Sequence, residues 1–336
     1  MEWNENKEKK IFRKYRFTLT VRIIRIIITC LILFWIYMMV VYISFHSLKS
    51  DMKHSYFSSL ANDWTIPNLY EELGGNPNSR ITPFLTQIVN EPVYKKVGKD
   101  YQAVGTITIE KTLFTHLSSR EIHYFDQQAE EGYVFFLPED PRNGESLSTD
   151  QDDHVWYTLD KIHEGTVGEL SFSTEKFMTP EELLELLKPY DLELIWAPLY
   201  TGEFKEYKPT SYSESENSLQ IDNWIGLAGG RKSQEDYTYS AKINILNEET
   251  LKESQNMMLT NMNQLLEEES TSYYETFLGL SHLDNRYEYI KQNGFIVYGG
   301  VVTGPVKELL KLKEVEEIRG AKLGELSYWN WDEQRE

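Results

Sequence analysis

The stretch Ile26 to Phe45, "IIITCLILFWIYMMVVYISF", runs twenty residues without a charge. At about 1.5 Å rise per residue, a helix of that length matches a hydrocarbon core of about 30 Å. It therefore reads as a transmembrane helix bounded by Arg22 and Arg25 before Ile26 and by Phe45 at its far end. The rival is a cleaved signal peptide, whose apolar region typically runs about 7–15 residues and ends in a small-x-small site. Here "SFHSLKSDMKHSYF" follows instead. An uncleaved anchor is expected.

The residues before the span hold eight Lys and Arg against three Glu, a net of +5, which places the N-terminus in the cytoplasm. Subtracting that +5 from the whole-chain −19 leaves −24 on the far side, because the span itself carries none. So acidic a surface repels nucleic acid and anionic lipid headgroups, and no nucleic-acid partner is expected. The single cysteine, Cys30, lies inside the span, leaving no disulfide framework and no thiol nucleophile outside it. With 336 residues, 40% of them hydrophobic, there is enough chain for two ordinary domains.

After a tail at 1–25 and the span at 26–45, residues 46–137 read as a stalk with short helical character, to about residue 70, followed by a small β-rich membrane-proximal domain. "YQAVGTITIEKTLF" (Tyr101 to Phe114) alternates with Ala103, Gly105, Ile107 and Ile109 on one face, the period of a half-buried strand. "GYVFFLP" reads as an apolar strand stopped by proline. Residues 138–154, rich in Pro, Gly, Ser and acid, read as a linker, and the polar stretch near 203–222 as an exposed insertion in a final domain, 155–336. That domain holds an internal echo. Strand, turn, helix opening at Pro180, turn and strand recur later, with Pro305 opening the second helix. The fold class expected is α+β: a transmembrane helix, a β-rich domain, then a duplicated βαβ arrangement, ferredoxin-like in form, with extra helices. Met258, Met262, Leu265 and Leu266 share one helical face and read as core, and Gly294 reads as a helix C-cap.

Motifs for chemistry do not survive inspection. In "GGVVTGPVKELLKL", Gly299 and Gly304 have phosphate-loop spacing, but Pro305 and Val306 occupy the Lys and hydroxyl positions, and Lys307 comes a turn late. A relaxed strand at Gly299 and Gly300, a turn at Gly304 and Pro305 at the first helical position account for every residue. Ser173 to Lys176 has the S-x-x-K form of penicillin-recognising enzymes without a helix start at the serine or a K-T-G strand. His163 and Glu164 begin an H-E-x-x-H that Val167 ends, and Asp150 to His154 lacks the glycine of a calcium loop. No catalytic residue, metal ligand or cofactor is assigned. Trp329 and Trp331 alternate along a terminal strand, so one packs inward and the other is a candidate partner contact.

Three ordered stretches carry a resemblance: "EGTVGELSFSTEKFMTPEELLELLKPYDLELIWAPLYTGE", "LDNRYEYIKQNGFIVYGGVVTGPVKELLKL" and the terminal "LGELSYWNW". Across residues 154–331 the chain resembles the extracytoplasmic C-terminal domain of the sigma factor regulators of Gram-positive bacteria, membrane anti-sigma factors of the sigma-M type. "IVNEPVYKKVGKDYQAVGTITIEK" resembles the family's membrane-proximal segment. The resemblance implies a single-pass regulator without a catalytic step, whose outer domain senses envelope stress or binds a partner. Its own partner would be an extracytoplasmic-function sigma factor or a companion membrane anti-sigma protein. Only about 25 residues precede the span, fewer than a helical sigma-clamping domain needs, so indirect control is expected. The competing reading is an extracytoplasmic binding module for cell-envelope material with no transcriptional role. A hydrolase is the weakest of the three.

Overall fold

Helix α1 (Glu5–Ser47) is continuous through both the basic flank and the apolar span, and its side chains are exposed almost throughout. It is the one helix among the described residues long and apolar enough to cross a membrane. Polar side chains within it do not break it, because Thr18, Thr20, Thr29 and Ser44 each donate to the carbonyl four residues back at 2.8–2.9 Å. The computed structural model describes residues 5–47, 50–71, 78–112, 118–126, 132–148, 153–235, 237 and 240–328.

Helix α2 (Ser50–Thr65) follows, and here the structure departs from the expected stalk. Tyr56, Phe57, Leu60, Ala61 and Trp64 are buried, together with Ser58, Ser59, Asn62 and Asp63. A helix enclosed on so many sides is a core element.

The first sheet is antiparallel throughout. Strands β1 (Tyr70–Glu71), β3 (Gln87–Val97), β4 (Asp100–Lys111) and β5 (Ser119–Tyr124) lie in that order, and β2 (Asn78–Ile81) also pairs with β3. The alternation expected along β4 holds for Gly105, Ile107 and Ile109, which are buried, but not for Ala103. The register slips between Val93 and Tyr94, so β4 spends one extra residue there and its side chains change face.

"GYVFFLP" is extended but is not a ladder strand. The Phe136 amide donates to the Ser173 hydroxyl at 2.9 Å and the Leu137 amide to the Leu219 carbonyl at 2.9 Å, while Phe135 and Leu137 are buried. Residues 138–148, expected as part of a linker, are held down: Arg319 donates to the Leu137 and Leu147 carbonyls at 2.6 Å each.

Next come α3 (Asp153–Lys161), β6 (Thr166–Met178), α4 (Pro180–Leu187) and β7 (Glu193–Leu199). Helix α4 opens where Pro180 predicts, with Thr179 and Glu182 forming a reciprocal capping box. The polar stretch near 203–222 carries a hairpin of β8 (Tyr212–Glu214) and β9 (Leu219–Ile221), whose Leu219 and Ile221 are buried, so it is only partly exposed. After β10 (Ile225–Ala228), β11 (Arg231–Ser233) and β12 (Ser240–Lys242) come α5 (Leu251–Glu268) and a π-helical turn at Ser272–Phe277. Helix α6 (Leu283–Asn293) ends on Gly294, at φ 79°, as its composition predicts. Strand β13 (Val297–Pro305), α7 (Val306–Lys311) and β14 (Ile318–Tyr328) complete the described chain.

The main sheet has the order β10-β7-β13-β6-β14, every neighbour antiparallel. The two strand-helix-strand units interleave: β13 separates β6 from β7, and β6 separates β13 from β14. The fold is mixed helix and sheet. Gly299 serves close approach, since a Cβ there would lie 2.3 Å from the Phe172 carbonyl oxygen. Gly304 stays in the strand rather than making a turn, and Pro305 caps α7 instead of opening it. One apolar cluster runs from Phe57 and Leu60 of α2 through Val93 and Ile107 of the first sheet to Phe172, Leu183, Met262 and Leu309.

Candidate functional site

Of the residues singled out in the sequence, Arg22, Arg25, Ile26 and Phe45 all fall on α1. Trp329 and Trp331 lie outside the described residues. Strand β14 ends at Tyr328, 81% exposed, on the outer edge of the main sheet. Ser173 and Lys176 lie in β6, and the Ser173 hydroxyl is engaged by the Phe136 amide, not by the lysine. Among the described residues no group of three His, Cys, Asp or Glu is placed to hold a metal ion.

The structure draws attention instead to polar groups buried where α2 meets the rest of the body. Asp63 accepts from Arg231 at 2.7 and 3.2 Å and from Lys242 at 2.6 Å, all three side chains being buried. Its own carbonyl accepts from the Trp196 indole at 3.0 Å. Burial opposes the charge on Asp63, but Arg231 and Lys242 together outweigh it and hold the carboxyl below its ordinary range. Glu71 of β1 accepts from Ser59, one turn before Asp63, and at 2.5 Å from Asn62, the immediate neighbour of Asp63. Ser55 donates to Glu91 of β3 at 2.7 Å. Burial, reinforced by Glu71, raises the Glu91 carboxyl to about 7. At the start of the helix His54 meets the Tyr273 hydroxyl at 2.8 Å, and burial, then Lys111 and Lys53, lowers its imidazole to about 3. Helix α2, which follows the long apolar helix α1, is thus fixed to β1, β3, β11 and β12 by charge as well as by apolar packing. Sequence reasoning missed this set because its partners lie 9 to 219 positions apart.

A second polar site is a cleft of about 280 Å³ between β14, β6 and the extended segment, lined by Lys95, Tyr133, Glu169, Ser171 and Lys322 among others. Glu169 is fully buried. Its Oε1 accepts from the Tyr133 hydroxyl at 2.5 Å, and its Oε2 has no partner among the described residues. Burial raises its carboxyl, against the opposing influence of Lys95 and Tyr133. Lys95 lies 5.6 Å from the centre of the Tyr133 ring, and Lys322 donates to the Gly132 carbonyl at 2.7 Å. The unpaired Oε2 is shielded from solvent, so the carboxyl lies behind the cleft wall, with the ammonium groups of Lys95 and Lys322 nearer its mouth.

The family model for the sigma factor regulator C-terminal region matches residues 159–325, and the model for the N-terminal region of the same family matches residues 9–102. The chain belongs to the sigma factor regulator family. A relative in Bacillus subtilis (strain 168), the probable anti-sigma-M factor YhdL, is 24% identical over 241 residues, covering 71% of this chain and 60% of the relative. The chain therefore spans about three-fifths of the length of that relative. No solved structure matches it. The N-terminal match runs from the basic flank of α1 through α2 into β4, so it takes in the helix junction with Asp63 and Glu91. The C-terminal match takes in the main sheet and Glu169.

Proposed function

We propose that the regulator is an anti-sigma-type membrane protein that controls an envelope-stress extracytoplasmic-function sigma factor through protein contacts and without catalysis. In this reading residues 1–25 are cytoplasmic, 26–45 cross the membrane, and the acidic remainder is extracytoplasmic, where it senses a signal or a partner. The observation that carries it is the N-terminal family match, which runs unbroken from the basic flank across the apolar span into the first sheet. A probable anti-sigma-M factor among the relatives supports the same reading. In this reading the direct cytoplasmic partner is a companion membrane anti-sigma protein. We also read the strand order β14-β6-β13-β7, with a helix after β6 and another after β13, as a ferredoxin-like core.

Affinity purification of the full chain from detergent-solubilised membranes tests this. Recovery of a sigma factor or of a membrane regulator that itself binds one is expected. The cleft at Glu169 favours a second reading, an extracytoplasmic envelope-binding module, and recovery of wall fragments with neither protein would decide for it.

A further inference from the structure

We propose that the tip of the β2–β3 hairpin, Pro83, Phe84 and Leu85, is seated in the lipid of the membrane that α1 crosses, beside the outer end of that helix. The proposal rests on the transmembrane reading of α1. Its central observation is a hydrogen bond: the Tyr37 hydroxyl donates to the Pro83 carbonyl at 2.9 Å. Tyr37 stands eight residues before Phe45, which puts the contact about 12 Å inside the span at 1.5 Å per residue. Val41, one turn further along the same face, is only 7% exposed on a helix that is otherwise open, so protein covers that face of the outer end.

The tip is made to enter lipid. Phe84 is 88% exposed, Pro83 is exposed too, and none of the three residues is charged. In hydrocarbon, backbone polar groups need partners from within the protein. Part of that requirement is met within the tip: the Thr82 amide donates to the Thr86 carbonyl at 2.8 Å, the Leu85 amide to the Thr82 carbonyl at 3.1 Å, and the Thr86 amide to the Thr82 hydroxyl at 3.2 Å, which leaves the Phe84 amide and the Phe84 and Leu85 carbonyls as the groups that cost most to bring into lipid. Pro83 has no amide hydrogen to satisfy, and its carbonyl takes the Tyr37 hydroxyl.

A shift of α1 toward the cytoplasm could bring Tyr37 to the outer surface instead. A twenty-residue span ending at Tyr37 would then begin at Thr18 and draw Arg22 and Arg25 into the hydrocarbon. Arginine is among the costliest residues there, whereas Pro83, Phe84 and Leu85 are not, so the tip enters and the arginines stay out. Arg80 is exposed and three residues before Pro83, about 10 Å back along the strand at roughly 3.3 Å per residue. That is the depth of the lipid phosphates. The hairpin thus gives a strongly acidic body an uncharged, arginine-flanked point of attachment to the bilayer.

The test uses the full chain in phosphatidylcholine and phosphatidylglycerol vesicles, with a nitroxide attached in turn to native Cys30, to Phe84→Cys and to Lys99→Cys, the latter two in a Cys30→Ser background. Phe84 is exposed, so its replacement leaves the fold unchanged, and Lys99 is an exposed turn residue at the opposite end of β3. Collision rates with oxygen, which partitions into lipid, are compared with those of a water-soluble nickel complex. Oxygen is expected to dominate at Cys30 and at Phe84→Cys, and nickel at Lys99→Cys. Nickel dominating at Phe84→Cys while oxygen dominates at Cys30 overturns the proposal and leaves the transmembrane reading standing. Nickel dominating at Cys30 overturns both.

Discussion

Replacing Asp63 by asparagine should destabilise the body outside the span far more than a surface substitution would. The side chain keeps its shape and loses its charge, leaving Arg231 and Lys242 buried beside each other without the carboxylate that pairs directly with both. Breaking a buried ion pair from one side costs about 3–5 kcal/mol, because the abandoned charge cannot return to water. For a domain of about 150–250 residues each kcal/mol moves the midpoint by about 2–4 °C, so a fall on the order of 10 °C is expected. Thermal unfolding of the full chain in detergent, followed by near-UV circular dichroism, reads it. The pH dependence gives a second check. Asp63 has a depressed folded-state pKa, so its contribution is complete above its unfolded value of about 3.9 and is lost as pH falls through the folded value. The gap between parent and Asp63→Asn should therefore hold at neutral pH and close only in acid. Combining Asp63→Leu with Arg231→Leu and Lys242→Met should recover most of the loss, since a well-packed apolar set can replace a buried ion cluster. A midpoint shift smaller than about 2 °C for Asp63→Asn would refute the claim that this cluster fastens α2.

Glu91 should act with the opposite sign. Its folded-state pKa is raised to about 7, so the folded state retains a proton that the unfolded chain gives up at about 4.3, and stability falls as pH rises between those values. Glu91→Gln should flatten that slope in the same unfolding measurement, and an unchanged slope would remove Glu91 as its source. Gly299→Ala places a methyl group against the Phe172 carbonyl oxygen and should cost at least about 1–3 kcal/mol by denaturant titration, whereas a neutral result would mean that β13 and β6 can separate freely there.

What the sequence made legible is what short-range physics governs. A run without charges specifies α1, Thr179 with Pro180 and Glu182 specifies the start of α4, and Gly294 specifies the end of α6. Met258, Met262 and Leu265 are buried as their spacing predicts. Helical character after the span was legible but the burial of α2 was not, because the face it buries carries Ser59, Asn62 and Asp63 beside its aromatics and so imitates a solvated stalk. Their partners, Glu71, Arg231 and Lys242, meet them only after the chain has folded. The polar stretch after Gly202 misled for the same reason, since Glu203 is buried only because Arg286, 83 positions later, pairs with it at 2.9 Å. Glu169 looked like one acid among 53, and its distinction is the Tyr133 hydroxyl and the buried, unpaired Oε2.

The most direct test of the account is the side of the membrane on which the acidic body lies. Intact cells carrying Lys99→Cys in the Cys30→Ser background would be exposed to a membrane-impermeant maleimide. The account requires labelling without permeabilisation; labelling that appears only after the cells are lysed would contradict it.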